Sequence, residues 1–308
     1  MFSFFNKKNK YPVPEWASFF TEKEFNDFVK ELNAYFQPKG ISPDLEAGLV
    51  IVNDQEFGAE QLGLYNLAQI CKQAPAKHYK EIVEGHFNGL KQANRFDQSF
   101  SQVENDFEAV KQYIGVRIYN VEYIDQLGKE FTIGKFIADD LYAILVYDLP
   151  DSVRNIKPEM SGRWNKSTEE LFEFGIDNIR SAYPADLSKE KLGNLEVWFG
   201  QGDHFFVPNL IFDLDKYPDF TGTGGALVGI PHRHACIIYP IHHIETVTAI
   251  NALIPLIHGM NSEGPGSLSD GLYWYKDQQL TRLPYQIDNG KIEFSPTEEF
   301  VQLIQGLK

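Results

Sequence analysis

The amino-acid sequence predicts an α+β protein, with a mainly helical N-terminal part followed by a mixed or antiparallel sheet and flanking helices. Three observations carry that prediction. Apolar residues recur at spacings of three and four through most of the chain up to about residue 112. From Val116 onward, short β-branched and aromatic runs bounded by Gly, Pro and Asp take over. Helical and strand patterns then mix without regular strand–helix alternation, which argues against a doubly wound parallel sheet.

The elements follow in order. Thr21 and Glu24 have the spacing of a capping box. Phe25, Phe28, Val29, Leu32, Tyr35 and Phe36 then share one face of a helix over 21–36, stopped by Pro38 and Gly40. Leu49 to Val52 reads as a buried strand, and 60–73 as a helix. Pro75 opens another helix, with Tyr79, Ile82, Val83, Phe87 and Leu90 on its stripe. A further helix is expected from Ser99, with Phe100, Val103, Phe107, Val110 and Ile114 in phase. Strands are expected at 116–119, 142–147, 195–199, 226–230 and 235–239. Ser167 and Glu170 form a second capping box, opening a helix that should bury Leu171, Phe174, Ile179 and Ala182. A helix over 243–258, bent at Pro255, should place Ile244, Val247, Ile254 and His258 near one face. Residues 272–275 and 280–283 read as a hairpin, the stretch Ser262 to Ser267 as a loop, and Ser295, Pro296 and Glu298 as the start of a last helix.

Composition narrows the function classes. The chain has 308 residues, 28 basic and 43 acidic, for a net charge of −15. Such a field repels phosphate, so the protein is not expected to bind nucleic acid or anionic membranes generally. Two cysteines, Cys71 and Cys236, are too few for a disulfide scaffold and fit a reducing, cytoplasmic compartment. No apolar run is long enough for a membrane span. Met1 to Phe5 is apolar but is followed by Lys7, Lys8 and Lys10, the reverse of a secretory signal. The expected organisation is a flexible leader over 1–15, a mainly helical part over 16–112 and an α+β sheet part over 113–308.

Several segments together resemble the YtpQ-type family of uncharacterised bacterial proteins. They are Leu64 to Leu67, Tyr79 to Val83, the strand Val116 to Ile118, and the run from Ala143 to Arg154 with its Asp-Leu-Pro turn. Trp164, the helix from Glu169 to Ile179 and the turn from Gly229 to His234 complete the likeness, which covers about 45–285. The family's turn carries Asp where His234 stands here, so an acidic role at that turn does not carry over. The resemblance implies a soluble, cytoplasmic bacterial protein and brings no established activity with it.

Candidate sites rest on a few side chains. Arg117, Arg154 and Arg233 each lie at or near a predicted strand end. Guanidinium groups so placed could converge on a carboxylate or phosphate, because each offers a bidentate fork. The alternative is salt bridging with the acidic surface. Trp198 and Trp274 sit in strands with aromatics on both faces and are candidate contact anchors. Six of the eight histidines lie between His204 and His258. If 232–236 is extended, His232, His234 and Cys236 share a face, and His243 could complete a zinc site. Against this, Cys236 leads into Ile237 and Ile238 and reads as core. Asp139, Asp140, Asp148 and Asp151 surround a predicted strand, where turn formation explains them as well as acid–base or Mg²⁺ chemistry does. The Gly-rich stretch Thr221 to Gly225 lacks the ending of a phosphate loop, and no nucleophile signature is present.

These observations favour a non-catalytic acidic binding module of the immunity or adaptor type, without cofactor, acting on a basic protein partner. The alternative is a metal-dependent enzyme, a hydrolase using zinc in the His-rich segment 232–243.

Overall fold

The computed structural model describes residues 10–52, 55–150, 152–263, 266–288 and 291–307. The fold is α+β, and the strands pair antiparallel throughout the registers described. The chain divides into two compact units, Met1–Val103 with Pro150–Ser152, and Glu104–Leu149 with Val153–Lys308. No helix among the described residues is long and apolar enough to cross a membrane.

The first unit is built from α1 (Glu22–Phe36), β1 (Leu49–Ile51), β2 (Gln61–Gly63), α2 (Tyr65–Lys72) and α3 (Tyr79–Val103). Thr21 caps α1 through the reciprocal box with Glu24, as the spacing predicts. Its apolar stripe is buried: Phe25, Phe28, Val29, Leu32 and Phe36 are all at 0% exposure. They meet Leu67, Cys71, Tyr79, Val83 and Phe87 in one aromatic-rich core, with Phe36 edge-on to Phe87 at 4.6 Å. Residues 1–9 of the expected leader lie outside the described residues, whereas Tyr11 exchanges two backbone hydrogen bonds with the Asn26 side chain, at 2.8 and 3.0 Å. Two expectations change. The 60–73 stretch opens with β2 before it turns helical. No helix starts at Ser99; α3 runs through it to Val103, and Asp106 then caps a separate single turn.

The second unit holds α4 (Phe107–Val110), β3 (Ile114–Asn120), α5 (Val121–Leu127), β4 (Gly134–Ala138), β5 (Leu141–Leu149), β6 (Ser152–Asn155), α6 (Glu159–Trp164) and α7 (Thr168–Ala182). After these come β7 (Asp186–Leu192), β8 (Leu195–Gln201), a 3-10 segment (Val207–Lys216), β9 (Ala226–Gly229), β10 (Ala235–Pro240), α8 (Thr246–Glu263), β11 (Leu272–Lys276), β12 (Gln279–Leu283), β13 (Tyr285–Asp288), β14 (Lys291–Phe294) and α9 (Glu298–Gly306). One sheet runs β3-β5-β4 with β6 also paired to β5; another runs β12-β11-β9-β10-β8-β7. Ser167 caps α7 with the second capping box. The helix lies so close on β3 that a Cβ on Gly175 would stand 3.0 Å from the Gly115 carbonyl carbon. This seating turns Phe172 inward and leaves Phe174 38% exposed, unlike the sequence expectation. α8 packs through Ala249, Ile250, Leu253, Ile254 and Ile257, while Ile244 and Val247 remain exposed. The helix begins at Thr246 rather than 243, which leaves Ile244 outside it, while Ile254 is buried as expected. The hairpin β11–β12 forms as expected. Thr297, not Ser295, caps α9, so Pro296 precedes the cap. Of the Ser262 to Ser267 stretch, Ser262 and Glu263 belong to the end of α8, and Gly264 and Pro265 lie outside the described residues.

Candidate functional site

Strand register brings the site together. Gln201 at the end of β8 pairs with Ala235 at the start of β10. The loop 202–206 that follows β8 and the turn 231–234 that precedes β10 therefore emerge at the same end of the sheet. Segment 266–269 clasps that turn: Arg233 N donates to Gly266 O at 3.1 Å and Leu268 N to Pro231 O at 3.0 Å. Asn209, just beyond the loop, donates its side-chain amide to Val116 O of β3 at 2.8 Å, tying this end to the other sheet.

At this junction two arginines meet one ring. Phe205 is 37% exposed. The Arg233 guanidinium carbon lies 4.2 Å from its centroid and that of Arg117 5.1 Å away. Arg117 also covers Tyr119 at 4.8 Å, and Tyr119 stacks on the exposed Tyr123 at 4.9 Å and 12°. Cation–π contacts of this kind contribute about 0.5–2 kcal/mol each, depending on desolvation. Arg154, Arg180 and Arg282 each hold a carboxylate. Among the described residues, no carboxylate lies within 4.0 Å of the Arg117 or Arg233 guanidinium. In a chain with 15 excess negative charges this is unexpected.

Three histidines brace the same loops. His234 is fixed from both ring nitrogens: Nδ1 meets Gly202 O at 3.0 Å, and Nε2 accepts from Arg233 Nε at 3.1 Å. His232 Nδ1 accepts from the His234 backbone at 3.2 Å, and His204 Nδ1 from the Phe206 backbone at 3.2 Å. Each accepting nitrogen must be unprotonated, so the arrangement needs neutral imidazoles. Burial, then the nearness of His234 and Arg233, holds His232 below its ordinary pKa. Burial, then His234, lowers His204, with Pro184 O opposing. Arg233 is pulled down by burial and by Arg117, while Tyr119 opposes. Asp148 is the nearby carboxylate on β5. Burial raises its pKa, while the nearness of Tyr183, Arg117 and His204 opposes the rise.

The other sequence candidates lie elsewhere. Arg154 on β6 bonds Glu104 at 3.1 Å and covers Tyr147, and has no place in the cluster. Trp198 is half-buried, donates to Asp219 O at 3.0 Å and carries Lys189 over its ring. Trp274 is 3% exposed and edge-on to Phe300, a core residue rather than a surface anchor. The segment 232–236 is not extended: 232–234 is a turn and β10 begins at Ala235. Cys236 is fully buried in the sheet, where burial pushes its thiol up to about 12. His243 follows the far end of β10, roughly 20 Å of strand from His234 at the usual rise of about 3.3 Å per residue. Among the described residues, no three His, Cys, Asp or Glu side chains gather as a metal-binding group. Asp139 is exposed at the end of β4, and Asp151 lies outside the described residues. Asp140 is tied up internally, accepting from Ser269 Oγ at 2.7 Å and Tyr273 Oη at 2.8 Å.

Sequence reasoning did not find Phe205, Tyr119, Tyr123, His204 or Asp148 as parts of one site. The signal available was the run Gly202 to Phe205, which opens the histidine-dense region. Comparisons with protein-family models, curated proteins and solved structures return no match. The likeness to the YtpQ-type family therefore rests on the sequence motifs alone.

Proposed function

We propose that the protein acts by binding another protein, as an adaptor- or immunity-type module, with Phe205, Arg117 and Arg233 as its anchor. One observation carries this reading: an exposed phenyl ring holds two guanidinium groups for which no carboxylate lies within ion-pairing distance among the described residues. Arginine and aromatic side chains are the residues that dominate interface anchors. The net charge of −15 steers a basic partner toward the molecule, and the cationic patch then selects the orientation in which it docks.

The test uses three baits in one host lysate: the wild-type chain, Phe205→Asp, and Phe136→Asp as a control at another exposed aromatic of the second unit. Proteins retained by the wild-type and control baits but lost from Phe205→Asp support the reading. Identical retention on all three baits refutes it.

A further inference from the structure

We infer that Arg117 and Arg233 form an oxyanion-binding site that takes a single carboxylate or phosphate group. The inference deepens the reading above and rests on it for the idea that the group arrives on a partner protein. Each guanidinium offers five N–H donors. Among the described residues, the hydrogen bond recorded for this pair is the one from Arg233 Nε to His234 Nε2. Among the described residues, no protein acceptor lies within hydrogen-bonding distance of the terminal nitrogens of Arg233 or of the Arg117 guanidinium.

The pair is held in place before any ligand comes. Arg117 is stacked between Tyr119 and Phe205. His234, anchored on Gly202 O, holds Arg233 through Nε and so does not use its terminal nitrogens. Gly266 closes against the Arg233 stem, where an added Cβ would stand 2.6 Å from Cδ. Fixing a fork in advance removes the ordering cost that weakens most surface arginine contacts. The two cations also repel each other in a half-buried setting, and an anion between them relieves that repulsion.

The surroundings limit what can bind. Asp148 lies near the cluster on β5, but among the described residues it makes no ion pair with either arginine. Asp186 and Asp203 lie near His204, and among the described residues neither pairs with an arginine of the cluster. A polyanion would meet the repulsion of the whole chain, so the ligand carries one anionic group.

The experiment titrates the full chain by calorimetry at pH 7.5 and constant ionic strength, with sodium acetate in one arm and sodium phosphate in the other. At least one anion should bind with Kd on the order of 1 mM. A preference for acetate assigns the group as carboxylate, and a preference for phosphate as phosphoryl. Arg117→Gln and Arg233→Gln should each weaken binding at least about tenfold. Arg163→Gln on α6 should leave it unchanged. Arg117→Lys and Arg233→Lys, which keep the charge but lose the fork, carry the test should a Gln variant not fold, and should bind more weakly than wild type. No binding of either anion above the chloride background, or equal loss in Arg163→Gln, overturns the inference. The two readings fail separately. Anion binding with identical retention on all baits removes the protein-binding proposal alone. Patch-dependent capture without anion binding removes the oxyanion site alone.

Discussion

The core of the helical first unit and the arginine–aromatic patch of the second are built in opposite ways. The core takes Phe25, Phe28, Val29, Leu32 and Phe36 from one fifteen-residue helix. Their spacing alone places them on one face. The patch takes Arg117, Phe205 and Arg233 from three places in the chain, joined by the register of β8 with β10 and by the clasp at 266–269. Packing follows a local period, whereas recognition here depends on which strand ends happen to be neighbours. A substitution should therefore be costly to stability in the first region and costly to binding in the second.

The largest expected effect sharpens this contrast. Phe28→Ala should destabilise the first unit by about 3–5 kcal/mol, because a fully buried ring leaves a cavity. A thermal melt shifted by less than a degree would break the claim that the α1 stripe is packed in the core of the first unit. Next comes Tyr273→Phe. It removes a buried hydroxyl that bonds Asp140 and Ser269 and should cost about 1–3 kcal/mol in denaturant melts. Cys236→Ala should cost about 1 kcal/mol, since a small thiol is lost from a tight sheet. Phe205→Ala should cost no more than about 1 kcal/mol, the low end for two cation–π contacts on a partly exposed ring. A larger loss would make the patch structural rather than functional.

Acid separates the regions in a subtler way. His204 and His232 have folded pKa values below the ordinary imidazole value of about 6.5. The unfolded chain therefore takes up protons first as pH falls. The stability these residues contribute is complete above about 6.5 and declines below it. In the first unit, Glu24 is held down to about 2 by Lys72 and by the Thr21 cap. Its contribution is complete above the ordinary value near 4.5 and is lost as the pH falls from there toward about 2. A fluorine probe at Phe205 should thus respond below pH 6.5, and amide signals around Thr21 only as the pH approaches about 2. Simultaneous responses would refute this ordering.

How much was legible in the sequence follows the same division. Both capping boxes, the stripe of α1 and the hairpin β11–β12 are local patterns, and they stand where the spacing puts them. The misplaced helix at Ser99 shows the limit: Phe100, Val103 and Phe107 keep a helical phase across a break that Asp106 caps. Arg117 and Arg233 were singled out for their strand-end positions. Arg154, chosen on the same ground, is claimed by Glu104, a contact no spacing could reveal. Trp274 and Cys236 went to the core because β11 and β10 are interior strands; Trp274 packs under α8 and α9, and Cys236 is buried on the face opposite Ile237. The turn at 232–234 defeated the shared-face argument, since alternation of side chains holds only where the backbone is extended.

The Asp140–Ser269–Tyr273 clasp has a consequence for how the second unit reaches its fold. Its hydrogen bonds join residues 129 and 133 positions apart in the chain. Closing so long a loop is entropically costly and is rewarded only once both sheets exist. The clasp should therefore be open at the rate-limiting barrier and close on the downhill side. Loosening it through Ser269→Ala should leave the refolding arm of a chevron plot in place and raise the unfolding rate, so that the clasp sets how long the native state survives rather than how fast it forms.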